Sequence, residues 1–177
     1  MRIVFTTLII GMCIAVIGCG TMQRMIKSSF PYTATLTVPA SAKVGTTQSA
    51  ISTGSSFDQN FSKSGNNATR LNNVRIVSAK LKSTNPSSYN IGDLSSVKIY
   101  VSKADGSDEV LVASRTDISP TAGNNVSLDI DNTNSLDEHV RQPNIRVRMI
   151  YKLRKQADVD VSLHVVLDVT ADVAEKD

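Results

Sequence analysis

The stretch NIRVRMIYKLRKQADVDVSLHVVLDVTADV, residues 144–173, decides the fold class of this chain. In both of its halves apolar and polar residues alternate with a period of two, which is the pattern of a β-strand with one buried face. The first half has its apolar residues at alternate positions from Ile145 to Leu153, and the second half from Val159 to Val173. Both strands must bury these faces in one core, so the stretch predicts two strands of a single β-rich domain.

If these two strands form a hairpin, their apolar faces lie on one side of the sheet only when the loop has an odd number of residues. A three-residue loop of residues 155–157 keeps both apolar faces on the same side of the sheet. It also places Arg154 opposite Asp158 and Lys152 opposite Asp160, and such pairs stabilise a ladder. A five-residue loop keeps the faces but loses these two pairs.

The second of the two strands is too long to run straight through a small domain. From Val159 to Val173 it would span about 50 Å at roughly 3.3 Å per residue. A bulge or bend is therefore expected, and residues 165–167, where the alternation briefly fails, are its predicted place.

Five shorter segments upstream are strand-like, and the first, third and fifth of them show the same alternation of apolar and polar residues. They are residues 32–38, 74–82, 96–102, 110–114 and 126–131. The dipeptide Asp105-Gly106 between the third and the fourth is a turn signal, so these two segments predict a hairpin. Together with the two strands of residues 144–173 they make about seven strands, which predicts an all-β fold, an antiparallel β-sandwich.

The rest of the domain contains one helical signal and one ambiguous segment. Ser135 and Glu138 stand at capping-box spacing and Pro143 ends the pattern, which predicts one or two helical turns. Residues 39–69 are rich in Ser, Thr, Gly and Asn, and are compatible with a long loop, an edge hairpin or a flexible stretch. Residues 32–177 are therefore predicted to form a single domain.

The N-terminus carries an apolar run, residues 3–17, that is shorter than the roughly 20 residues of a membrane span and has the length of a signal peptide. It ends in VIGC, residues 16–19, which resembles the lipobox of bacterial lipoproteins. The resemblance implies that residues 1–18 are a signal peptide, that Cys19 becomes lipidated, and that residues 19–31 form a tether. Two or three acyl chains give a lasting membrane anchor, whereas one does not. An ordinary signal peptide with a chance cysteine is the other interpretation.

The cysteine count agrees with lipidation. Cys13 lies inside the apolar run and would leave with the signal, so a lipidated Cys19 leaves no free thiol in the domain. A disulfide framework, a cysteine metal site and a cysteine nucleophile are then excluded. The net charge of +3 and the apolar fraction of 41% are ordinary for a globular domain.

No catalytic constellation stands out in the sequence. His139 and His164 fall in different predicted elements, and both are expected to be ordinary surface or half-buried residues. Ser95 and Lys98 have the spacing that some acyl-enzymes use on a helix, but on a strand residues i and i+3 point to opposite faces. The chain is therefore predicted not to be an enzyme and to need no cofactor.

One loop offers a weak calcium site. It collects oxygen ligands at Asp129, Asp131, Asn134 and Asp137. Aligned with an EF-hand loop from Asp129, however, the sixth position is Asn134 instead of Gly and the twelfth is Val140 instead of Glu. A polar connection between a strand and a helix is the simpler interpretation.

One strand face offers a possible ligand surface. It is formed by Arg146, Arg148, Lys152 and Arg154, with Tyr100 as an exposed aromatic candidate nearby. No aromatic residue alternates with these charges, which speaks against nucleic acid as a partner. Trp is absent, and for a glycan only Tyr100 and Tyr89 remain as stacking platforms. A solvated face is the alternative interpretation.

The pattern of strands from Asn73 to Val173 resembles small all-β lipoproteins of Bacteroidota. The resemblance implies an envelope location and a sandwich domain, and it carries no functional residues over to this chain. The residues after Cys19, GTMQR, lack the Asp that retains enteric lipoproteins in the inner membrane and lack an acidic surface-export run. An outer-membrane anchor facing the periplasm is therefore expected, with the cell surface as the alternative.

These observations predict a lipid-anchored binding or structural module of the cell envelope. Its expected partners are the membrane, through the lipid on Cys19, and an envelope protein that docks on a sheet edge or face. A surface glycan-binding or adhesion lipoprotein is the second hypothesis.

Overall fold

The computed structural model describes residues 28–56, 71–142 and 144–173, which form a closed barrel of antiparallel strands. The strands are β1 (Ser28–Val38), β2 (Thr47–Ser56), β3 (Leu71–Asn85), β4 (Leu94–Lys103), β5 (Val110–Thr116), β6 (Asn125–Ile130), β7 (Ile145–Leu153) and β8 (Val161–Val173). A 3-10 turn, Ile91–Asp93, precedes β4, and one helical turn, α1 (Asp137–Val140), precedes β7. The predicted all-β antiparallel fold is confirmed, with eight strands described where about seven were expected.

The barrel consists of two four-stranded sheets that join along two short seams. The first sheet has the order β2-β7-β4-β5 and the second the order β6-β3-β8-β1. Among the described residues, two pairs are in register at each seam, β1 with β2 and β5 with β6, whereas β1 and β8 are paired over eleven. The predicted sandwich is thus closed at both edges, and every described strand has a neighbour on both sides.

The core lies between the two sheets and is built by the alternation that the sequence shows. In β7 and β8 every second residue is buried: Ile145, Val147, Met149, Tyr151, Leu153, Val161, Leu163, Val165, Leu167, Val169 and Ala171. The predicted bulge at residues 165–167 is wrong, because β8 alternates without a break and the register shifts fall in its partner β3. At these shifts β3 has residues without a register partner in β8. One of them is Val77, which is 48% exposed.

The last two strands do not form the hairpin for which the loop of residues 155–157 was considered. β7 pairs with β2 and β4, whereas β8 pairs with β1 and β3, so the chain crosses from one sheet to the other after Leu153. Two strands can share a core by facing each other across it from opposite sheets. The alternation of apolar and polar residues does not distinguish this arrangement from a hairpin. The pairs of Arg154 with Asp158 and of Lys152 with Asp160 do not form; instead, Arg154 lies 3.9 Å from the Asp117 carboxylate, and Asp160 accepts a hydrogen bond of 2.8 Å from the Ala40 N–H.

Two of the predicted boundaries differ from those in the structure. β1 begins at Ser28, so it includes the last residues of the segment predicted as a tether. β2 occupies residues 47–56 of the ambiguous segment 39–69 and pairs with β1 and β7, so it is not an edge hairpin. Cys19 and residues 57–70 lie outside the described residues. Within the described ranges no helix is long and apolar enough to cross a membrane.

Candidate functional site

Charge is divided unequally between the two sheets. The strands of the first sheet contain six basic residues and no acidic one within their described ranges: Lys98, Lys103, Arg115, Arg146, Arg148 and Lys152. The strands of the second sheet contain three of each sign: Arg75, Lys80, Lys82, Asp129, Asp168 and Asp172. Because like charges concentrate on one side of the barrel, the outer face of the first sheet is the candidate site.

We call this surface the basic face, and it is formed by Lys98, Tyr100, Arg146, Arg148 and Lys152. The central strands β4 and β7 supply all five residues, and Tyr100 is in register with Arg148. All five belong to the positions that alternate with the buried residues, so their side chains leave the barrel on the same side. On the other side of β7, Ile51 of β2 is in register with Arg148 and is 52% exposed.

Arg148 is the most firmly held cation of the basic face. Its Nε donates a hydrogen bond of 2.7 Å to the Glu109 carboxylate and a second guanidinium nitrogen donates to the other carboxylate oxygen. The guanidinium carbon lies 4.8 Å from the centroid of the Tyr100 ring, a cation–π distance. The hydrogen bonds from Arg148 lower the pKa of Glu109 below its ordinary value. Glu109 therefore neutralises Arg148 and fixes its orientation.

The remaining cations of the basic face have no such ion pair among the described residues, although the charge of Arg146 helps to lower the pKa of Glu109. Lys98, Arg146 and Lys152 form no ion pair with any residue that the structure describes. Lys98 and Lys152 are exposed and Arg146 is partly exposed. Lys98 and Glu109 were not predicted as members of this site, because their places on this face depend on β4 lying between β5 and β7. The alternation in residues 96–102 could have indicated Lys98.

Arg154 does not belong to the basic face, contrary to the sequence prediction. Its guanidinium donates to the backbone carbonyls of Gly92 and of Ile118, the latter at 2.8 Å. Its own backbone N–H donates to the Asp93 carbonyl at 2.7 Å. The reason is that β7 ends at Leu153, so the alternation of a strand no longer sets the direction of the next side chain. Arg154 fastens the end of β7 to two loops.

Neither tyrosine offers an open platform for a sugar. The Tyr100 ring is half-buried and has Arg148 over it. Tyr89 is also half-buried, and its hydroxyl is buried without a hydrogen-bond partner among the described residues. Burial, with a smaller effect from Asp93, raises the pKa of Tyr89 to about 12. The glycan hypothesis thus loses the stacking surface on which it depended.

The four candidate calcium ligands are not brought together. Asp129 pairs with Arg115 at 3.2 Å, and Asp131 accepts a hydrogen bond of 2.9 Å from the Thr133 N–H within its own loop. Asp137 faces β3, and the Asn134 side chain is exposed. Among the residues described, no three His, Cys, Asp or Glu side chains are placed to share a metal ion.

Asp137 has a structural role that the predicted capping box does not describe. Helix α1 has Leu136 as its N-cap without any side-chain cap, and the Ser135 hydroxyl donates to the Asp137 carboxylate. The same carboxylate accepts hydrogen bonds from the Val74 N–H at 2.7 Å and the Asn73 N–H at 3.2 Å. Asn73 has a positive φ of 53°. Asp137 therefore ties α1 to the start of β3, where the chain is bent.

The variant Asp137→Asn is expected to lower the free energy of unfolding by about 2 kcal/mol, because a charged acceptor of two backbone N–H groups is lost. Burial is the largest single effect, and it raises the pKa of Asp137. The hydrogen bonds from Ser135, Val74 and Asn73 together lower the pKa by more than burial raises it, so it lies below its ordinary value. A lowered folded-state pKa stabilises the fold above about pH 4 and loses that contribution as the pH falls further. Urea denaturation at pH 7 and below pH 4 measures both effects.

The control for this prediction is Asp129→Asn, since Asp129 forms an exposed ion pair with Arg115. It is expected to cost less than about 1 kcal/mol. An equal cost for the two variants, or an unchanged acid dependence in Asp137→Asn, would contradict the role given to Asp137.

The two histidines lie apart and have separate partners. His139 is only 4% exposed, so its prediction as a surface or half-buried residue is wrong. Its Nε2 donates to the Asp108 carbonyl at 2.7 Å, while Nδ1 is buried without a partner among the described residues. Nδ1 of His164 lies 3.2 Å from the Thr35 hydroxyl on the second sheet. Helix α1 buries His139 because the helix packs on β3 and β4.

The comparison with known proteins assigns no family to this chain. No family model, no curated protein and no solved structure matches it. The candidate site therefore rests on its own geometry, namely three cations without an ion-pair partner in the described part of the chain and one preorganised arginine, on the outer face of a closed barrel.

Proposed function

We propose that the protein is a lipid-anchored binding or structural module of the cell envelope that docks a protein partner and does not act as a catalyst. The observation that carries the proposal is the division of charge between the two sheets, because the described strands of the first sheet contain six basic residues and no acidic one, while Glu109 of the adjoining loop pairs with Arg148. Docking uses an outer face and not a strand edge, because each described strand is already paired on both sides.

The anchor in this proposal is a lipid on Cys19. The support is the lipobox-like VIGC of residues 16–19 and the short chain between the anchor and the barrel. Nine positions separate Cys19 from Ser28 (28 − 19), where β1 begins. Nine residues span at most about 32 Å, so the barrel stays close to the membrane surface. We place the protein at the outer membrane, facing the periplasm, with the cell surface as the alternative.

The lipid anchor predicts the outcome of labelling cells with radioactive palmitate. The natural chain is expected to take up label and to appear in the outer-membrane fraction, and Cys19→Ala is expected to take up none. Cys13→Ala is the matched control and should be labelled normally, because Cys13 lies in the segment removed with the signal peptide. Label retained in Cys19→Ala, or lost in Cys13→Ala, would contradict the anchor.

The docking of a protein partner is tested by photo-crosslinking in intact cells. A photoreactive amino acid is placed at Ser49 on the first sheet or at Ser127 on the second, both of which are exposed. A discrete adduct with one envelope protein from either position is expected, and no adduct from either would overturn the docking function. Protease treatment of the same cells decides the side of the membrane. Loss of the protein would favour the glycan-binding or adhesion alternative at the cell surface.

A further inference from the structure

We propose that the basic face docks on the anionic phospholipid headgroups of the membrane that holds the anchor. This proposal rests on the proposed function, since it needs a chain tethered at Cys19. Its occupant is the phosphate layer of a bilayer, and the second sheet is then left facing away from the membrane, where a protein partner can reach it.

The first support is charge complementarity. Lys98, Arg146 and Lys152 have no ion-pair partner in the described part of the chain, and they spread over about 20 Å of β4 and β7 at roughly 3.3 Å per residue. Each Lys or Arg beside an anionic bilayer strengthens attachment roughly fivefold. Three such cations on one face therefore favour a docked orientation by about two orders of magnitude.

The second support is the place at which the chain enters the barrel. Tyr32 of β1 is in register with Ser56 of β2, and Gly54 of β2 is in register with Ile145 of β7. The start of β1 and the Arg146 end of the basic face therefore lie at the same end of the barrel. They are two strands apart, about 10 Å, and Ser28 lies seven residues beyond Arg146 along the strand direction, about 23 Å. The tether thus reaches the barrel at the end where Arg146 lies.

The third support is the apolar surface among the cations. Ile51 is 52% exposed beside Arg148, and Ile150 is partly exposed between Arg148 and Lys152. The headgroup layer of a bilayer accepts both apolar and cationic side chains on one surface. An acidic protein surface matches the cations equally well, but it accounts neither for Ile51 nor for the entry of the tether at the Arg146 end of the barrel.

The test uses the full lipidated chain with a single fluorescent label. Ser49→Cys labels the basic side and Ser127→Cys labels the second sheet, and both positions are exposed serines. Each protein is reconstituted into phosphatidylcholine vesicles, with or without phosphatidylglycerol, that contain a lipid with a quencher on its headgroup. We expect quenching of the label at position 49 only when phosphatidylglycerol is present, loss of that quenching at high salt, and little quenching at position 127.

A matched pair of double variants separates a specific face from general charge. Lys98→Gln with Lys152→Gln removes two charges from the basic face, and Lys80→Gln with Lys82→Gln removes two from the second sheet. The first pair is expected to lower the ratio of docked to undocked protein roughly 25-fold, and the second to leave it within about twofold. Circular dichroism confirms that each variant is folded.

The outcomes distinguish this proposal from the one on which it rests. If the protein does not float with the vesicles, the lipid anchor is wrong and the proposed function fails with it. If it floats but the two labels are quenched equally, or the two double variants behave alike, the basic face does not dock on lipid. Shielding of position 49 in cells but not in vesicles would assign the face to an acidic protein and would also overturn the proposal.

Discussion

Gly92→Ala is expected to lower the free energy of unfolding by about 3 kcal/mol, although Gly92 has an ordinary backbone conformation. A Cβ atom at this position would collide with the Ser119 carbonyl oxygen and would lie 2.5 Å from that of Pro120. Both are backbone atoms, so the loop cannot yield without moving the hydrogen bond between Arg154 and Ile118. Urea denaturation measures the difference in unfolding free energy from the natural chain.

The control is Gly123→Ala, which a purely conformational argument would rank as the more damaging change. Gly123 has a positive φ of 78°, but no atom lies within 4 Å of an added Cβ. Its expected cost is about 1 kcal/mol, from backbone strain alone. If Gly123→Ala destabilises the protein more than Gly92→Ala, then the turn at residues 91–93 does not pack closely against residues 119–120.

Leu163→Ala is expected to cost about 3 kcal/mol of unfolding free energy. Leu163 is fully buried in β8 and lies opposite Leu36 of β1 in the register. Truncation leaves a cavity in the middle of a strand that is paired on both sides, where the backbone has little freedom to close it. Thermal or urea denaturation of the variant measures the cost.

Val166→Ala on the same strand is the matched comparison. Val166 faces outward between Thr33 and Lys80 and is only half-buried. Its truncation is expected to cost about 1 kcal/mol or less. Equal costs at positions 163 and 166 would mean that the alternation of inner and outer residues along β8 is shifted.

The strands that the sequence predicts correctly are those with strong alternation. In β7 and β8 the inner positions are large and apolar and the outer positions polar, so the buried face follows from the pattern alone. β2 has no such contrast, because its inner positions are Gln48, Ala50, Ser52 and Gly54. Gly54 must stay small, since an added Cβ would lie 2.8 Å from the Val147 side chain. That reason depends on β7, and no local pattern in residues 47–56 reveals it.

The pairing of strands is the part of the fold that the sequence does not determine by local rules. Alternation states which residues face the core, but a hairpin and two opposed sheets satisfy it equally. The same limit applies to the site. Arg146, Arg148 and Lys152 were predicted to share a face because they are on one strand, and they do. Glu109 comes from the loop between β4 and β5, and Arg154 lies just beyond the end of β7. The positions of both side chains therefore follow only from the tertiary structure.

The position of β8 between β1 and β3 has a consequence for biosynthesis. The residues that pair β1 with β8 are separated by 123 to 143 positions in the chain (161 − 38 and 171 − 28). The first strand therefore has no main partner until the last one has been made, and such distant contacts slow folding to milliseconds or longer. The barrel of a nascent chain of this topology therefore cannot close until β8 has been made.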